Sequence, residues 1–227
     1  MMVDCIQHEG GMLDKFIGDA IMAVFGTPIP HDDDEDRAVR AAISMLKALE
    51  AFNTERQAQN KKPVKIGVGI NTDHIVSGNI GSPKRMDYTV IGDGVNLASR
   101  LEGACKQYGA KIIISEYTFE KLRGTYRCRE IDRTIVKGKT KPVSIYEILE
   151  YHTPASFPNL ADVLGHFKYG QECYRDGKWD NAIKAFSEAL RLNPNDAVSH
   201  LYVERCKKLL ENPPGEDWNG VWHLESK

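Results

Sequence analysis

The sequence has no long apolar run and almost no net charge. No stretch of it approaches the roughly 20 consecutive apolar residues that a helix needs to cross a bilayer. The first residues, "MMVDCIQHEGG", lack the basic and then apolar regions of a signal peptide. A formal net charge of −2 over 227 residues gives no basic field, so we expect no nucleic-acid partner. The composition is that of a globular protein with one full domain and room for a small second one.

Paired cysteine motifs are absent as well. The five cysteines are odd in number and scattered, and none forms a CxxC pair. Reduced thiols in a cytosolic protein explain this usage better than disulfides or a zinc site.

Hydrophobic periodicity predicts an α+β chain, with helices packed on a mostly antiparallel sheet. Two strands joined by Gly18-Asp19 precede a long helix with an acidic start, whose apolar residues recur at helical spacing at Val39, Ala42, Leu46 and Leu49. A strand and a hairpin follow, and the two glycines of that strand allow another backbone or a ligand to come close. A helix that ends at Gly109 and a helix over "EYTFEKLRG", capped by Ser115, come next. The predicted strands outside the second hairpin are Met12–Ile17, Ala20–Phe25, Val64–Ile70, Lys111–Ile114, Arg129–Val136 and Val143–Leu149.

The C-terminal part has a different, helical character. After the linker-like "YHTPASFPNL", small and aromatic residues recur at the spacing of one tetratricopeptide repeat. We therefore predict a first domain at 1–150, a linker at 151–164, repeat-like helices at 165–212 and a tail at 213–227. A lone repeat cannot bury its own apolar face, so it must pack on another surface. Trp218 and Trp222 are predicted to anchor the tail.

Two short stretches carry candidate chemistry, although each alone has an ordinary interpretation. Lys15 and Asp19 in "DKFIGDAIMAVFG" fit a plain hairpin turn. Asn96 and Arg100 in "DYTVIGDGVNLASRLEG" lie four apart, so they share one helix face, which suits an anionic group. The acidic run "HDDDED" is interpreted as a solvated helix start and not as a metal site.

Three stretches together resemble the catalytic domain of class III nucleotide cyclases: "LDKFIGDAIMAVFG", "YTVIGDGVNLASRLE" and "VKGKTKPVSIYEI". They occur in the family's order, and the resemblance covers roughly residues 1–150. It implies a ferredoxin-like α+β sandwich. The tail is similar to the segment after this domain in bacterial adenylate cyclases that carry an extracellular sensor and a membrane anchor. The resemblance therefore implies a cytoplasmic domain of a parent protein anchored in the inner membrane by an N-terminal part.

The resemblance also implies a role for each candidate residue. Lys15 and Thr89 would read the adenine ring, since adenylate cyclases place Lys with Asp or Thr at these positions, whereas guanylate cyclases typically place Glu and a small residue. Asp19 would be one of two metal carboxylates. Asn96 and Arg100 would hold the ribose and the transition-state charge. A further lysine, Lys139, would bind the terminal phosphates.

The implied reaction converts ATP to 3′,5′-cyclic AMP and pyrophosphate, with two Mg²⁺ or Mn²⁺ ions. In this family the site is shared between two chains, so the resemblance implies a head-to-tail homodimer. Lys15, Asp19 and Thr89 would act from one subunit, and Asn96 and Arg100 from the other. The repeat would offer a docking surface for a protein partner.

The sequence departs from the family pattern in two places. The family carries a second metal carboxylate in a segment resembling "FSDIRGFT", which this sequence lacks, and Asp4 lies on a predicted helix and is no substitute. We therefore expect a fragment or a split gene product that makes almost no cyclic AMP by itself. The second departure is Asp73, where the family usually has Gly. Two alternatives stay open: a guanylate cyclase, which Lys15 disfavours, and a non-catalytic module that binds nucleotide or only dimerises.

Overall fold

The structure is a computed structural model that describes residues 1–82, 84–134, 142–215 and 218–221. The helices of the described residues are α1 (Met2–His8), α2 (Asp34–Ala58), α3 (Asp93–Tyr108), α4 (Glu116–Phe119), α5 (Leu160–Arg175), α6 (Trp179–Leu192) and α7 (Ala197–Glu211). The strands are β1 (Met12–Ile17), β2 (Ala20–Val24), β3 (Val68–Ile70), β4 (Val76–Ser82), β5 (Arg85–Ile91), β6 (Ile112–Ser115), β7 (Cys128–Thr134) and β8 (Val143–Ile148).

A four-stranded sheet in the order β3-β6-β8-β7 forms the centre of the N-terminal part. Strands β3 and β6 are parallel, whereas β8 is antiparallel to both β6 and β7. The other four strands of the described residues form two antiparallel hairpins, β1-β2 and β4-β5. The sheet is mostly antiparallel and carries helices, so the predicted α+β class is confirmed.

Strand β6 separates two apolar layers because its side chains alternate between the faces of the sheet. Ile112 and Ile114 pack with α2, which buries Val39, Ala42, Leu46 and Leu49, the four positions predicted from helical spacing. Ile113 faces the opposite layer, where it packs with α3 and with the C-terminal helices. The central strand is therefore buried on both faces, and α3 is fixed against it.

Glycine at position 69 lets α3 lie directly on β3. A Cβ atom at Gly69 would collide with the backbone of α3 at Ala98 and Glu102, so the predicted close approach of another backbone is confirmed. The predicted strand Val64–Ile70 is too long, because β3 begins only at Val68. The reason lies at Val64, whose backbone N–H and C=O both bond to the side-chain amide of Asn53 on α2, at 2.7 and 2.8 Å.

The helix predicted after Ser115 is also shorter than expected. Ser115 Oγ accepts a hydrogen bond from the Thr118 N–H, which confirms the predicted cap, but α4 ends at Phe119. Further along, the backbone N–H groups of Arg123 and Gly124 donate to the buried Asp36 carboxylate at 2.9 and 2.8 Å. These amides are therefore satisfied by a side chain and not by a continued helix.

The C-terminal helices pack on the rest of the chain through apolar side chains and buried ion pairs. Arg205 on α7 lies 2.7 Å from Asp132 on β7, and the hydroxyl of Tyr108 on α3 donates to the same carboxylate. Arg129 on β7 pairs with Asp196, just before α7, at 2.6 Å. The prediction that the lone repeat must pack on another surface is confirmed. Burial of the Glu147 carboxyl in the same layer raises its pKa, an effect that its ion pair with Arg129 opposes.

The tail returns to this helical layer. The Trp218 ring contacts those of Tyr174 and Trp179, with ring centroids 5.5 and 6.1 Å apart. Its predicted anchoring role is confirmed, whereas Trp222 lies outside the described residues. In the part of the chain that the structure describes, no helix combines the length and the apolar character needed to span a bilayer.

Candidate functional site

The β1-β2 hairpin carries the first two candidate residues. Lys15 lies on β1 with 44% of its side chain exposed. Asp19 is exposed in the turn that follows Gly18, whose φ of 63° lies in the left-handed region that favours glycine. The turn therefore holds the Asp19 carboxylate at the tip of the hairpin, where it is open to an incoming ligand.

A β-bulge at Asp14 changes the direction of the side chains on β1. The register pairs Leu13 with Ala23 and Lys15 with Met22, so Asp14 has no opposite residue on β2. Such a bulge re-aims the side chain of the extra residue. The Asp14 side chain is fully buried, although that of its neighbour Lys15 is largely exposed.

Asp14 connects the two residues that the sequence predicted to act together. Thr89 on β5 is 6% exposed, and its hydroxyl donates to Asp14 Oδ2 at 3.0 Å. The same oxygen lies 3.4 Å from Lys15 Nζ. The structure therefore brings Lys15 and Thr89 to the two sides of one buried carboxylate. Sequence reasoning missed Asp14, and the only signal was an acid next to the lysine.

Helix α3 presents the second pair of candidates. It begins at Asp93, directly after β5, and Gly92 at its start has a φ of 152°. Leu97 and Leu101 are buried on one side of this helix, whereas Asn96 and Arg100 are exposed on another. The predicted sharing of one exposed helix face by Asn96 and Arg100 is confirmed.

Acidic residues at the start of α2 bond to neighbouring groups of the protein, and one of them differs from the prediction. Asp33 bonds to Arg37 and Arg40, and these hydrogen bonds lower the pKa of its carboxyl. Asp36, however, is buried and not solvated. Burial opposes ionisation of the Asp36 carboxyl, but hydrogen bonds from Arg123, Gly124 and Tyr126 bring its pKa below the ordinary value.

A complete metal centre is not formed by the described residues. Across residues 1–82, 84–134, 142–215 and 218–221, no group of three or more His, Cys, Asp or Glu side chains could hold a metal ion. Asp19 offers a single exposed carboxylate. Lys139, predicted to bind phosphates, lies outside the described residues, as does Lys137.

The two hairpins expose large apolar side chains near these candidates. More than two fifths of the surface is exposed in Phe16, Ile17, Val76, Met86, Tyr88 and Ile91. Scattered exposed apolar residues are ordinary, but several on two neighbouring hairpins indicate a contact surface.

Family models match both parts of the chain. Residues 5–150 match the model described as the adenylate and guanylate cyclase catalytic domain. Residues 163–196, which include most of α5 and all of α6, match the tetratricopeptide repeat.

Curated relatives with adenylate cyclase names share this region. An adenylate cyclase of Anabaena cylindrica is 44% identical over 154 residues, which is 65% of this chain and 30% of that protein. The terminal-differentiation-specific adenylate cyclase of Dictyostelium discoideum is 36% identical over 208 residues, 88% of this chain and 10% of that protein. The chain thus spans less than a third of either relative.

Solved structures resemble the N-terminal part. The adenylyl cyclase CyaB from P. aeruginosa is 38% identical with a TM-score of 0.59, covering 65% of this chain and 76% of that one. The guanylyl cyclase Cya2 is 37% identical with a TM-score of 0.57, covering 67% and 77%. An adenylyl cyclase and a guanylyl cyclase therefore resemble this chain to a similar degree.

Proposed function

Because the chain belongs to the family of adenylate and guanylate cyclase catalytic domains, we propose that it serves the conversion of ATP to 3′,5′-cyclic AMP and pyrophosphate. The observation that supports ATP over GTP is the pair formed by Lys15 and Thr89 around Asp14. The names of the two curated relatives above agree with this choice.

The chemistry of the base explains the choice. An ammonium group has three donors and no acceptor, so Lys15 suits the acceptor nitrogen of the adenine ring. A hydroxyl such as that of Thr89 can accept from the exocyclic amine of adenine, whereas guanine carries a carbonyl oxygen at that position. A glutamate in place of Lys15 would suit the guanine donors instead.

Catalysis would rest on positioning and charge. In the reaction that we propose, the ribose 3′-hydroxyl gives up its proton to water, its oxygen attacks the α-phosphorus in line to form the new O–P bond, and the bond to the leaving pyrophosphate breaks. Arg100 suits the phosphoryl oxygens through its planar guanidinium, and Asn96 suits the ribose. Lys139 is proposed for the terminal phosphates. These three residues would orient the substrate and stabilise the charge of the transition state.

Divalent ions are part of the proposal, and the described residues fit them only in part. Two Mg²⁺ or Mn²⁺ ions would offset the negative charge of the phosphates. Asp19 would supply one carboxylate ligand. The described residues offer no cluster of three metal-ligating side chains that would complete the set of ligands.

A second copy of the chain is the proposed partner at the site. The apolar side chains exposed on both hairpins, among them Phe16, Met86 and Ile91, favour burial against such a copy. We propose a head-to-tail homodimer in which Lys15 and Asp19 face the Arg100 of the other subunit. The exposed side of the repeat is proposed to bind a protein partner, and the chain to act in the cytoplasm as part of an anchored parent.

The direct test measures both cyclic nucleotides. The 227-residue chain is compared with a chimera in which the part of the Anabaena cylindrica enzyme that precedes its matched region is placed before Met1. We expect the chimera to form cyclic AMP well above cyclic GMP, and the chain alone to form almost none. A chimera that forms mainly cyclic GMP would favour the guanylate alternative. A chimera that binds ATP but forms neither product would favour the non-catalytic module.

A further inference from the structure

We infer that Asp14 is a specificity-determining positioning residue: its buried carboxylate accepts the hydrogen bond of the Thr89 hydroxyl, which leaves the Thr89 oxygen able only to accept from a base, and so selects adenine over guanine. The inference rests on the proposed function, because it assumes that Thr89 and Lys15 face the base. It assigns a role to a residue that touches the two base-reading candidates and not the base itself.

The first step is the direction of the hydrogen bond. A threonine hydroxyl has one proton and two lone pairs, and its proton rotates to the best acceptor available. Asp14 Oδ2 lies 3.0 Å from Thr89 Oγ1, and an ionised carboxylate can only accept. Since Thr89 must donate to this partner, the lone pairs of its oxygen remain for other donors.

The second step concerns the hydrogen bond that each base would form with the Thr89 oxygen. The exocyclic group of adenine at this position is an amine that donates, whereas guanine carries a carbonyl oxygen that accepts. An oxygen that can only accept suits the amine and repels the carbonyl. With its proton free to rotate, the same hydroxyl would suit either base, so threonine alone does not discriminate.

The third step is that the fold maintains this carboxylate at a cost. The bulge at Asp14 removes it from the regular pairing of β1 with β2 and directs it inward. Its side chain is fully buried, and its Oδ1 has no hydrogen-bond partner within the part of the chain that the structure describes. A buried polar atom without a partner destabilises the fold and therefore calls for an explanation. The selection of one base supplies that explanation.

Lys15 belongs to the same arrangement. Its ammonium lies 3.4 Å from Asp14 Oδ2, but 44% of the side chain is exposed, so this ion pair is weak. We therefore assign the main effect of Asp14 to the buried Thr89 hydroxyl.

The test is the ratio of ATP to GTP affinity, measured on the 227-residue chain by saturation-transfer NMR with the two nucleotides in competition. This method detects weak binding, and an unfolded fraction of the sample cancels in the ratio. Asp14→Leu, of similar size, removes the acceptor and should lower the ratio about tenfold, the worth of roughly one hydrogen bond. Asp14→Asn keeps an acceptor oxygen for Thr89 and should retain most of the preference.

Two controls separate specificity from stability. Asp36→Asn alters another buried carboxylate, whose hydrogen bonds come from Arg123, Gly124 and Tyr126, and should leave the ratio within about twofold of the wild-type value. In a Thr89→Val background, which lacks the hydroxyl, Asp14→Leu should have almost no further effect on the ratio.

The outcomes distinguish this inference from the proposed function. If the wild-type chain prefers ATP and Asp14→Leu keeps that preference, the role of Asp14 is refuted and the proposed function stands. Equal losses in Asp14→Asn and Asp14→Leu, or a full effect without the Thr89 hydroxyl, also refute it. A wild-type chain that binds both nucleotides equally, or neither, overturns the base assignment and this inference with it.

Discussion

Removal of Arg205 should destabilise the whole chain by breaking an ion pair that joins α7, the helix after the repeat, to the sheet. The side chains of Arg205 and Asp132 are 3% and 1% exposed and lie 2.7 Å apart, and the Tyr108 hydroxyl donates to the same carboxylate. Arg205→Met leaves the Asp132 charge buried with fewer donors. Breaking a buried pair in this way costs about 3–5 kcal/mol. At about 2–4 °C per kcal/mol for a chain of this size, the melting temperature should fall by about 6–20 °C.

Scanning calorimetry of Arg205→Met, beside a matched control variant, measures the fall in melting temperature. Lys207→Met on the same helix removes an exposed partner of Glu204, at 2.8 Å, and should change stability by less than about 1 kcal/mol. Adding Asp132→Asn to Arg205→Met removes the orphaned charge and should restore part of the loss. If Arg205→Met melts within about 2 °C of the wild-type chain, α7 is not held on the sheet by this pair and our account of how the C-terminal helices dock is wrong.

Two further predictions concern the base and the pH dependence of stability. In the chimera, Lys15→Glu with Thr89→Cys should shift the preference from ATP towards GTP by about 1–3 kcal/mol in kcat/KM, and an unchanged preference would remove both residues from base reading. Burial, with the charges of Lys111 and Arg129, lowers the pKa of His152 from 6.5 to about 4. The unfolded chain therefore takes up this proton first, and the free energy of unfolding should fall as the pH drops from about 6.5 to 4. Because the His152 ring is partly exposed, solvent screening should keep this loss to about 1 kcal/mol. Urea unfolding should show a weaker loss for His152→Gln, and an equal loss in both chains would contradict the assignment.

Local features of the fold followed from the sequence because local chemistry determines them. Helix α3 ends at Tyr108, and Gly109 directly after it adopts the left-handed conformation with a φ of 66°, as its sequence indicates. Strand β1 and the burial of Leu46 and Leu49 follow from simple periodicity. The resemblance to the cyclase family supplied the roles proposed for the site residues, which periodicity cannot give.

The features that could not be predicted depend on contacts between residues far apart in the chain. Strand β3 starts late because Asn53 bonds to the backbone of Val64. The role of Asp14 depends on a bulge and on Thr89, 75 positions further along the chain. If the side chains of β1 alternated strictly, Asp14 and Lys15 would lie on opposite faces of the strand. The sequence pattern therefore gives no sign of the contact between them. The docking of the C-terminal helices depends likewise on pairs such as Arg205 with Asp132.

The most direct test of the central claim, a cyclase site shared between two copies of this chain, is a mixing experiment in the chimera. Asp19→Ala and Arg100→Ala should each abolish cyclic AMP formation. If the site is shared, a heterodimer of the two variants contains one intact site. An equal mixture with random pairing should then recover roughly a quarter of the wild-type activity per chain. No recovery, with mixed dimers demonstrated by two affinity tags, would contradict a shared site and place each site within a single chain.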